Sequence, residues 1–248
     1  MSSTNETTIL LVGYGWFRNI PKGEINSAEQ IARALDGERL SCGGRTARVH
    51  SIVVPVMWEG AFPPVEQAVR DLQPQIVLAL GTDASAAALR PEPYGVNWCE
   101  GTDASPDDPT LETTRSCPID ERGAAYLRGA LPFDAMTRAI LTEGIPAQTG
   151  TLSDAPEGWP IRHRSSAGRY LCNYMAYRLA QLADAAPHPM RTGFLHVPTQ
   201  PAYAAARRLA QLQAGEAALD ALMLPSMPLE MMIRGVRAAL CAAVSTEG

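Results

Sequence analysis

The stretch QIVLALG, residues 75–81, is apolar at nearly every position and ends in glycine. A continuous apolar run of this length is typical of a β-strand that is covered on both faces, as the strands of parallel sheets are. Similar runs occur in TILLVG at 8–13, RVHSIVVPVM at 48–57 and TGFLHVP at 192–198. These four segments predict the strands of one central sheet.

Helical patterns lie between the predicted strands. Apolar residues share one face in INSAEQIARALDG, where Asn26 or Ser27 is the expected helix cap. The other segments predicted to be helical are 63–74, 124–144 with a break at Pro132, 169–184 and 229–244. This alternation predicts an α/β fold, with a largely parallel sheet that has helices on both faces.

Three segments do not fit the alternation simply. Residues 82–117 form a long irregular stretch, which indicates either a functional loop or a hairpin. IPAQTGTLS at 145–153 is interpreted as a short strand, and 154–168 as an exposed insertion. Because the whole chain has only 248 residues, we expect a single domain over 1–248 that contains this insertion near 154–168.

Composition limits the classes of function. The net charge of −5 comes with no long charged run, so we expect no nucleic-acid partner and no polybasic membrane anchor. The start of the chain has only a five-residue apolar run and no basic segment, which predicts neither a signal peptide nor a membrane span. The five cysteines are scattered and lack a C-x-x-C pair, which predicts no metal site and a reducing cytoplasm.

Three residues near the carboxyl ends of strands or at a helix start carry reactive groups. Cys172 lies in the first turn of its predicted helix, where free backbone N–H groups stabilise a thiolate. His196 ends the FLHVP strand, where an imidazole could accept the thiol proton. Glu92, or Asp83 directly after its strand, could orient that imidazole.

Each of these residues also has an ordinary structural interpretation. A free cysteine is commonly a small apolar filler in a core, and a strand histidine commonly a core residue with a satisfied hydrogen bond. Glu92, between two prolines, is equally compatible with a solvated loop charge. Tyr14, Trp16 and Phe17 are compatible with the wall of a small apolar pocket or with core packing. Nucleotide binding is disfavoured because GYGWFRN lacks the G-x-G-x-x-G pattern.

Several segments, taken in order, resemble a known family. AGRYLCNYMAY, GFLHVP and RPEPYGVN are similar to the cysteine, histidine and glutamate segments of type I pyroglutamyl peptidases. ILLVGYGWF with INSAEQIARAL resembles the opening segments of that family, and PSMPLEMMIRGVRAAL resembles its last helix. The resemblance thus covers nearly the whole chain.

The resemblance implies a three-layer α/β/α sandwich with the activity of a cysteine peptidase. Such an enzyme removes an amino-terminal pyroglutamyl group, needs no metal or cofactor, and often forms a homotetramer. Cys172 corresponds to the nucleophile, His196 to the base and Glu92 to the orienting acid. The substrate-binding positions implied are Tyr14, Phe17, Asn26 and Thr82. The expected partner is a small peptide or amide, and a dimer is the alternative assembly.

The chain departs from the family around the substrate. Thr82 replaces a glutamine, Asp83 is introduced beside it, and Trp16 and Arg18 lie in a tight loop. TDASPDD occupies the place of the family segment that carries an arginine, and 154–168 is longer than its counterpart. Two alternatives therefore stay open: the same thiol chemistry on another small amide or lactam, and a non-catalytic homologue that binds a ligand.

Overall fold

The computed structural model describes residues 6–17, 26–105, 108–215 and 224–246. Within these ranges the strands, in chain order, are β1 (Thr7–Tyr14), β2 (Arg39–Cys42), β3 (Arg45–Val54), β4 (Ile76–Thr82), β5 (Arg90–Glu92), β6 (Tyr94–Val96), β7 (Cys99–Thr102), β8 (Thr114–Cys117), β9 (Tyr126–Arg128), β10 (Leu152–Asp154), β11 (His163–Ser165) and β12 (Arg191–Val197). The α-helices are α1 (Ser27–Leu35), α2 (Pro63–Leu72), α3 (Phe133–Thr142), α4 (Leu171–Ala185), α5 (Pro201–Gln213) and α6 (Leu229–Ser245).

The central sheet has the strand order β2-β3-β1-β4-β12-β5. Its four inner strands, β3, β1, β4 and β12, run parallel to one another, whereas the edge strands β2 and β5 are antiparallel to their neighbours. The carboxyl ends of the inner strands therefore meet at one edge of the sheet. Ligands bind at that edge in open α/β sheets.

Helices cover both faces of the sheet. Ile9 and Leu11 of β1 face the layer formed by α1, α3 and α6. Leu10 and Val12 of the same strand face α2 and α4. Because both faces of β1 are buried from Ile9 onward, the strand is an apolar run over that part, as its sequence predicted. The predicted α/β/α sandwich with a mostly parallel sheet is confirmed.

The helix predicted over 124–144 is wrong in its first half. Tyr126–Arg128 is a strand, β9, which pairs with β6, and the helix starts only at Phe133 after Pro132. Strand pairing overrides the helix propensity of this short segment. The sequence pattern also indicated neither β2 nor α5.

The two irregular stretches contain hairpins. Residues 82–117 include β5, β6 and the antiparallel pair β7–β8, so the hairpin alternative was correct for part of this stretch. The insertion near 154–168 includes most of the antiparallel pair β10–β11, and most of its residues are exposed or half-buried. A single strand over 145–153 was therefore only partly correct, since β10 covers 152–154.

The cysteines are not all free thiols. Cys42 on the edge strand β2 is disulfide-bonded to Cys241 on α6, across 199 residues of sequence. Disulfides persist mainly in oxidising surroundings, whereas the compartment that cysteine usage predicted is a reducing one. Cys99, Cys117 and Cys172 are free, and the sulfur atoms of Cys99 and Cys117 lie 3.6 Å apart across the β7–β8 pair.

No helix in the described ranges combines the length and the apolar character needed to cross a membrane. The His, Cys, Asp and Glu side chains of the same ranges form no group of three or more that could hold a metal ion.

We expect the disulfide to stabilise the fold. Reduction should lower the free energy of unfolding of the oxidised protein by about 2–4 kcal/mol, because the bond restricts the unfolded chain across a long loop. The measurement is urea unfolding with and without a reductant. The Cys42→Ser/Cys241→Ser double variant is the control, since its unfolding should not respond to reductant. An equal response of both proteins would contradict the prediction.

Candidate active site

Cys172 is the second residue of α4, at the sheet edge where the inner strands end. The N-cap residue, Tyr170, offers no side-chain hydrogen bond to the backbone of this helix. The first N–H groups of a helix have no acceptor within the helix, so those beside Cys172 are available to a ligand. The positive end of the helix dipole also stabilises negative charge there.

His196 is the penultimate residue of β12, and only 4% of its surface is exposed. In the sheet it lies opposite Gly81 of β4 on one side and opposite Arg90 of β5 on the other. A Cβ atom at Gly81 would lie 2.9 Å from the Cys172 sulfur and 2.7 Å from the Phe194 ring. Glycine at this position therefore leaves the space in which Cys172 approaches His196.

Glu92 is almost completely buried, with 1% of its surface exposed, and its carboxylate contacts three groups. Oε1 lies 2.9 Å from Nδ1 of His196 and 2.6 Å from Nε of Arg90. Oε2 accepts a hydrogen bond from the Ser166 hydroxyl. Gly150 packs against this oxygen, where a Cβ atom would overlap it.

The surroundings of His196 and Glu92 favour their charged forms. Burial acts to raise the pKa of Glu92, but the hydrogen bond and charge of His196 and the hydrogen bonds from Arg90 and Ser166 outweigh it, so this pKa lies below its ordinary value. Burial acts to lower the pKa of His196, whereas the charges of Cys172 and Glu92 and its hydrogen bonds with both raise it to about 10. These surroundings thus favour a protonated His196 beside the Glu92 carboxylate.

A cavity of about 240 Å³ opens beside Cys172. Sites for drug-sized ligands commonly measure about 300–1,000 Å³, so this cavity suits a smaller group. Its walls come from the ends of β1 and β4, the start of α4, and the segment after β12. The lining residues are Tyr14, Phe17, Asn26, Ser27, Val56, Gly81, Thr82, Ala84, Tyr170, Leu171, Cys172, Thr199, Gln200 and Tyr203.

Aromatic rings form part of the cavity wall. The Tyr14 hydroxyl donates a hydrogen bond to the Leu171 carbonyl at 2.7 Å, which connects β1 to the first turn of α4. Burial and the nearby charge of Cys172 raise the pKa of Tyr14, so its hydroxyl stays protonated. The Phe17 ring lies 5.9 Å from the ring of Tyr170 on the same wall.

Asn26 and Thr82 line the cavity, but their side chains are hydrogen-bonded to each other. The Asn26 amide donates to the Gly15 carbonyl at 2.7 Å, and its oxygen accepts from the Ala28 N–H at 3.0 Å, so Asn26 caps α1 as predicted. The Thr82 hydroxyl donates to the same Asn26 oxygen. These contacts hold the ends of β1 and β4 together beneath the cavity.

Comparison with known proteins agrees with this arrangement of elements. The family model described as pyroglutamyl peptidase matches residues 7–246, nearly the full length of the chain. The chain belongs to the pyroglutamyl peptidase family. This is a family of cysteine-type peptidases.

Curated relatives and a solved structure, all named as pyrrolidone carboxylate or carboxyl peptidases, align along nearly the whole chain. The pyrrolidone-carboxylate peptidase of Cupriavidus pinatubonensis is 30% identical over 246 residues, which cover 97% of this chain and 94% of the relative. That of Mycobacterium marinum is 28% identical over 238 residues, covering 96% and 92%. A mutant pyrrolidone carboxyl peptidase from Pyrococcus furiosus superposes with a TM-score of 0.75 at 25% identity, covering 96% and 98% of the two chains.

The structure brings Cys172, His196 and Glu92 together, and it places Tyr14, Phe17, Asn26 and Thr82 on the wall of one cavity. Asp83 and Trp16, which the sequence also pointed to, have other surroundings. The carboxylate of Asp83 contacts Arg90 and not His196, and neither Asp83 nor Trp16 is among the cavity-lining residues. Arg18 lies outside the described residues.

Sequence reasoning missed three residues that support this pyroglutamyl peptidase site. Arg90 and Ser166 both contact Glu92. Asn173, next to Cys172, donates to the carbonyls of Val96 and Trp98 and accepts from the Val96 N–H and the Ser165 hydroxyl. Arg90 and Glu92 stand at positions i and i+2 and so share a face of β5, but a strand of three residues is too short for that period to be visible in the sequence.

We expect Asn173 to be important for stability. Asn173→Ala should lower the free energy of unfolding by about 2–4 kcal/mol, because it leaves buried backbone groups of β6 without partners. Urea unfolding measures the change. Gln181→Ala is the matched control on the same helix, and its half-buried amide, which bonds Asp120, should cost about 1 kcal/mol or less. Equal losses in the two variants would contradict the prediction.

Proposed function

We propose that this protein removes amino-terminal pyroglutamyl groups from peptides, with Cys172 as nucleophile, His196 as general base and acid, and Glu92 as the group that orients His196. The observation that carries the proposal is the chain of contacts at the sheet edge. The Cys172 sulfur occupies the space beside Gly81, the residue opposite His196 in the sheet, and Nδ1 of His196 lies 2.9 Å from Oε1 of Glu92.

In the first step, the Cys172 sulfur attacks the carbonyl carbon of the pyroglutamyl group. Glu92 engages Nδ1 of His196, which leaves Nε2 to take the thiol proton. The carbonyl oxygen becomes negatively charged in the tetrahedral intermediate. The free N–H groups at the start of α4 would hold that oxygen, because they are fixed beside Cys172 before the reaction begins.

The intermediate then collapses. The carbon–nitrogen bond breaks, the leaving amine takes the proton from Nε2 of His196, and the acyl group stays on Cys172 as a thioester. Water enters, gives a proton to the same nitrogen and attacks the thioester carbon. The carbon–sulfur bond breaks, pyroglutamate leaves, and the proton returns to the sulfur, which restores the starting state.

The cavity supports a small uncharged acyl group as the part that is recognised. Among the described residues, its lining contains no Asp, Glu, Lys or Arg side chain. Aromatic faces from Tyr14 and Phe17 suit a flat five-membered lactam. Thr199 and Gln200, which follow the strand of His196, add polar atoms that a lactam N–H and carbonyl could use.

One observation favours the alternative substrate class, another small amide or lactam. The hydroxyl of Thr82, at the position where the resemblance implies a substrate-binding glutamine, is engaged by Asn26. A matched panel of amino-terminally blocked aminocoumarin amides separates the two proposals. Preference for a blocking group other than pyroglutamyl would favour the alternative. Measurable ligand affinity with an unreactive Cys172 would favour a non-catalytic homologue.

Cys172→Ser should lower the rate of hydrolysis of pyroglutamyl-aminocoumarin by about a thousandfold or more, because serine is a far weaker nucleophile without a site built to activate it. Fluorescence release measures the rate. Cys117→Ser is the matched control, since Cys117 is an exposed free cysteine away from the cavity, and it should retain full activity. Full activity of Cys172→Ser would refute the assignment of the nucleophile.

Phe17→Ala should lower kcat/KM for the same substrate by about ten- to a hundredfold, because burying a phenylalanine ring against a ligand is worth about 1.5–3 kcal/mol. Alkylation of Cys172 by iodoacetamide should proceed at the wild-type rate, since this small reagent does not need the aromatic wall. Steady-state kinetics and labelling followed by mass spectrometry measure the two quantities. An unchanged kcat/KM would show that Phe17 does not bind the substrate.

The resemblance also implies a homotetramer, with a dimer as the alternative assembly, and cysteine usage predicts a cytoplasmic location. Both stay predictions, although disulfides such as Cys42–Cys241 are rare in the cytoplasm.

A further inference from the structure

The Glu92 carboxylate contacts Arg90 as well as His196. Its Oε1 atom accepts from Nε of Arg90 at 2.6 Å, a shorter contact than the 2.9 Å to Nδ1 of His196. Arg90 also lies directly opposite His196 in the pairing of β5 with β12. The sheet register therefore fixes a guanidinium beside the imidazole.

This arrangement has an electrostatic cost. Nη2 of Arg90 lies 3.5 Å from Nδ1 of His196, and a protonated imidazole next to a guanidinium is disfavoured because both are cations. Arg90 also neutralises part of the negative charge that Glu92 presents to His196. Taken alone, Arg90 would make protonation of His196 harder, although it holds the Glu92 carboxylate in place.

Asp83 provides the compensating charge. Its Oδ2 atom lies 2.9 Å from Nη2 of Arg90, the same nitrogen that approaches His196. Its Oδ1 atom accepts from the N–H and the hydroxyl of Ser85, which fixes the carboxylate in this direction. Burial acts to raise the pKa of Asp83, but the bonds from Ser85, the charge of His196 and the bond from Arg90 outweigh it, so this pKa lies below its ordinary value.

Asp83, Arg90, Glu92 and His196 thus form a charge cluster in which the signs alternate. The side chains of Asp83 and Arg90 are only 22% and 15% exposed, so solvent screens their charges incompletely. In the described part of the chain, the groups that face His196 are Glu92 and Arg90 from β5, Asp83 after β4, and Cys172 from α4. Tyr14 from β1 adds a titratable group near Cys172.

We propose that Asp83 and Arg90 are a pair of positioning residues: they fix Glu92 against His196 and set the pH range in which Cys172 is a thiolate beside a protonated His196. The inference rests on the proposed function only in taking Cys172 and His196 as the reactive pair. It does not depend on which acyl group is the substrate.

The test measures the pH dependence of alkylation of Cys172 by iodoacetamide, followed peptide by peptide with mass spectrometry. Loss of a negative charge in Asp83→Asn should move both limbs of the profile to lower pH. Loss of a positive charge in Arg90→Gln should move both limbs to higher pH, by about one unit. The pH shift in Asp83→Asn should be smaller, because Asp83 contacts Arg90 and not His196 itself.

Two further variants separate charge from structure. The Asp83→Asn/Arg90→Gln double variant removes one charge of each sign, so its profile should return toward that of the wild type. Glu143→Gln changes the net charge by the same amount as Asp83→Asn at the end of α3, and it should leave the profile in place. Arg90→Lys keeps the charge and should retain the pH midpoints while it lowers the rate of amide hydrolysis through looser contact with Glu92. Thermal unfolding identifies any variant that does not fold.

Opposite shifts in the two single variants, with partial cancellation in the double variant, would support the inference. Profiles that stay in place, or that move in the same direction in both variants, would overturn it. Those outcomes leave the proposed function intact if Cys172→Ser still abolishes pyroglutamyl hydrolysis. Conversely, a wild type that does not hydrolyse this substrate but shows the opposite shifts would refute only the proposed substrate. If Arg90→Gln does not fold, Asp83→Asn with its Glu143→Gln control decides the question.

Discussion

The carboxylate of Glu92 is nearly inaccessible to water, and burying such a charge is unfavourable unless other groups satisfy it. Its partners come from three separate segments: Arg90 from its own strand, His196 from β12, and Ser166 from the turn before α4. All three segments must therefore be in place for Glu92 to be stable where it is. The same requirement brings the start of α4, with Cys172, to the end of β12.

The order of strands makes these contacts possible. β12 lies between β4 and β5, so that His196 has Gly81 on one side and Arg90 on the other. On the Gly81 side, where there is no side chain, lies the sulfur of Cys172. On the other side lie the charged groups of Arg90 and Glu92. Because β5 is antiparallel to β12, Glu92 pairs with Phe194, which places its carboxylate diagonally from His196 and within reach of Nδ1.

Much of this arrangement could be predicted from the sequence. The other parts could not be predicted, for physical reasons. Long apolar runs indicated β1, β4 and β12, and the rule that sites lie at strand ends selected Cys172 and His196. Arg90 was not predicted, because β5 has three residues, too few for a period to be visible in the sequence. The Cys42–Cys241 disulfide escaped because a separation of 199 residues carries no local signal. Asp83 was singled out as an alternative partner for His196, but its carboxylate contacts Arg90 instead, a contact that only the folded chain reveals.

The charged side chains of the site and the lining of its cavity are different sets of residues. The charge cluster lies behind Cys172, whereas the described lining of the cavity in front of it carries no Asp, Glu, Lys or Arg side chain. Under the proposed function, a change in the cavity wall, such as threonine at position 82, would alter which acyl group fits without adding a charge beside His196. Under the proposed role of Asp83 and Arg90, a change in either would alter the balance of protons between Cys172 and His196 without narrowing the cavity. Different residues would then control the reaction and the choice of substrate, so that the two could vary independently.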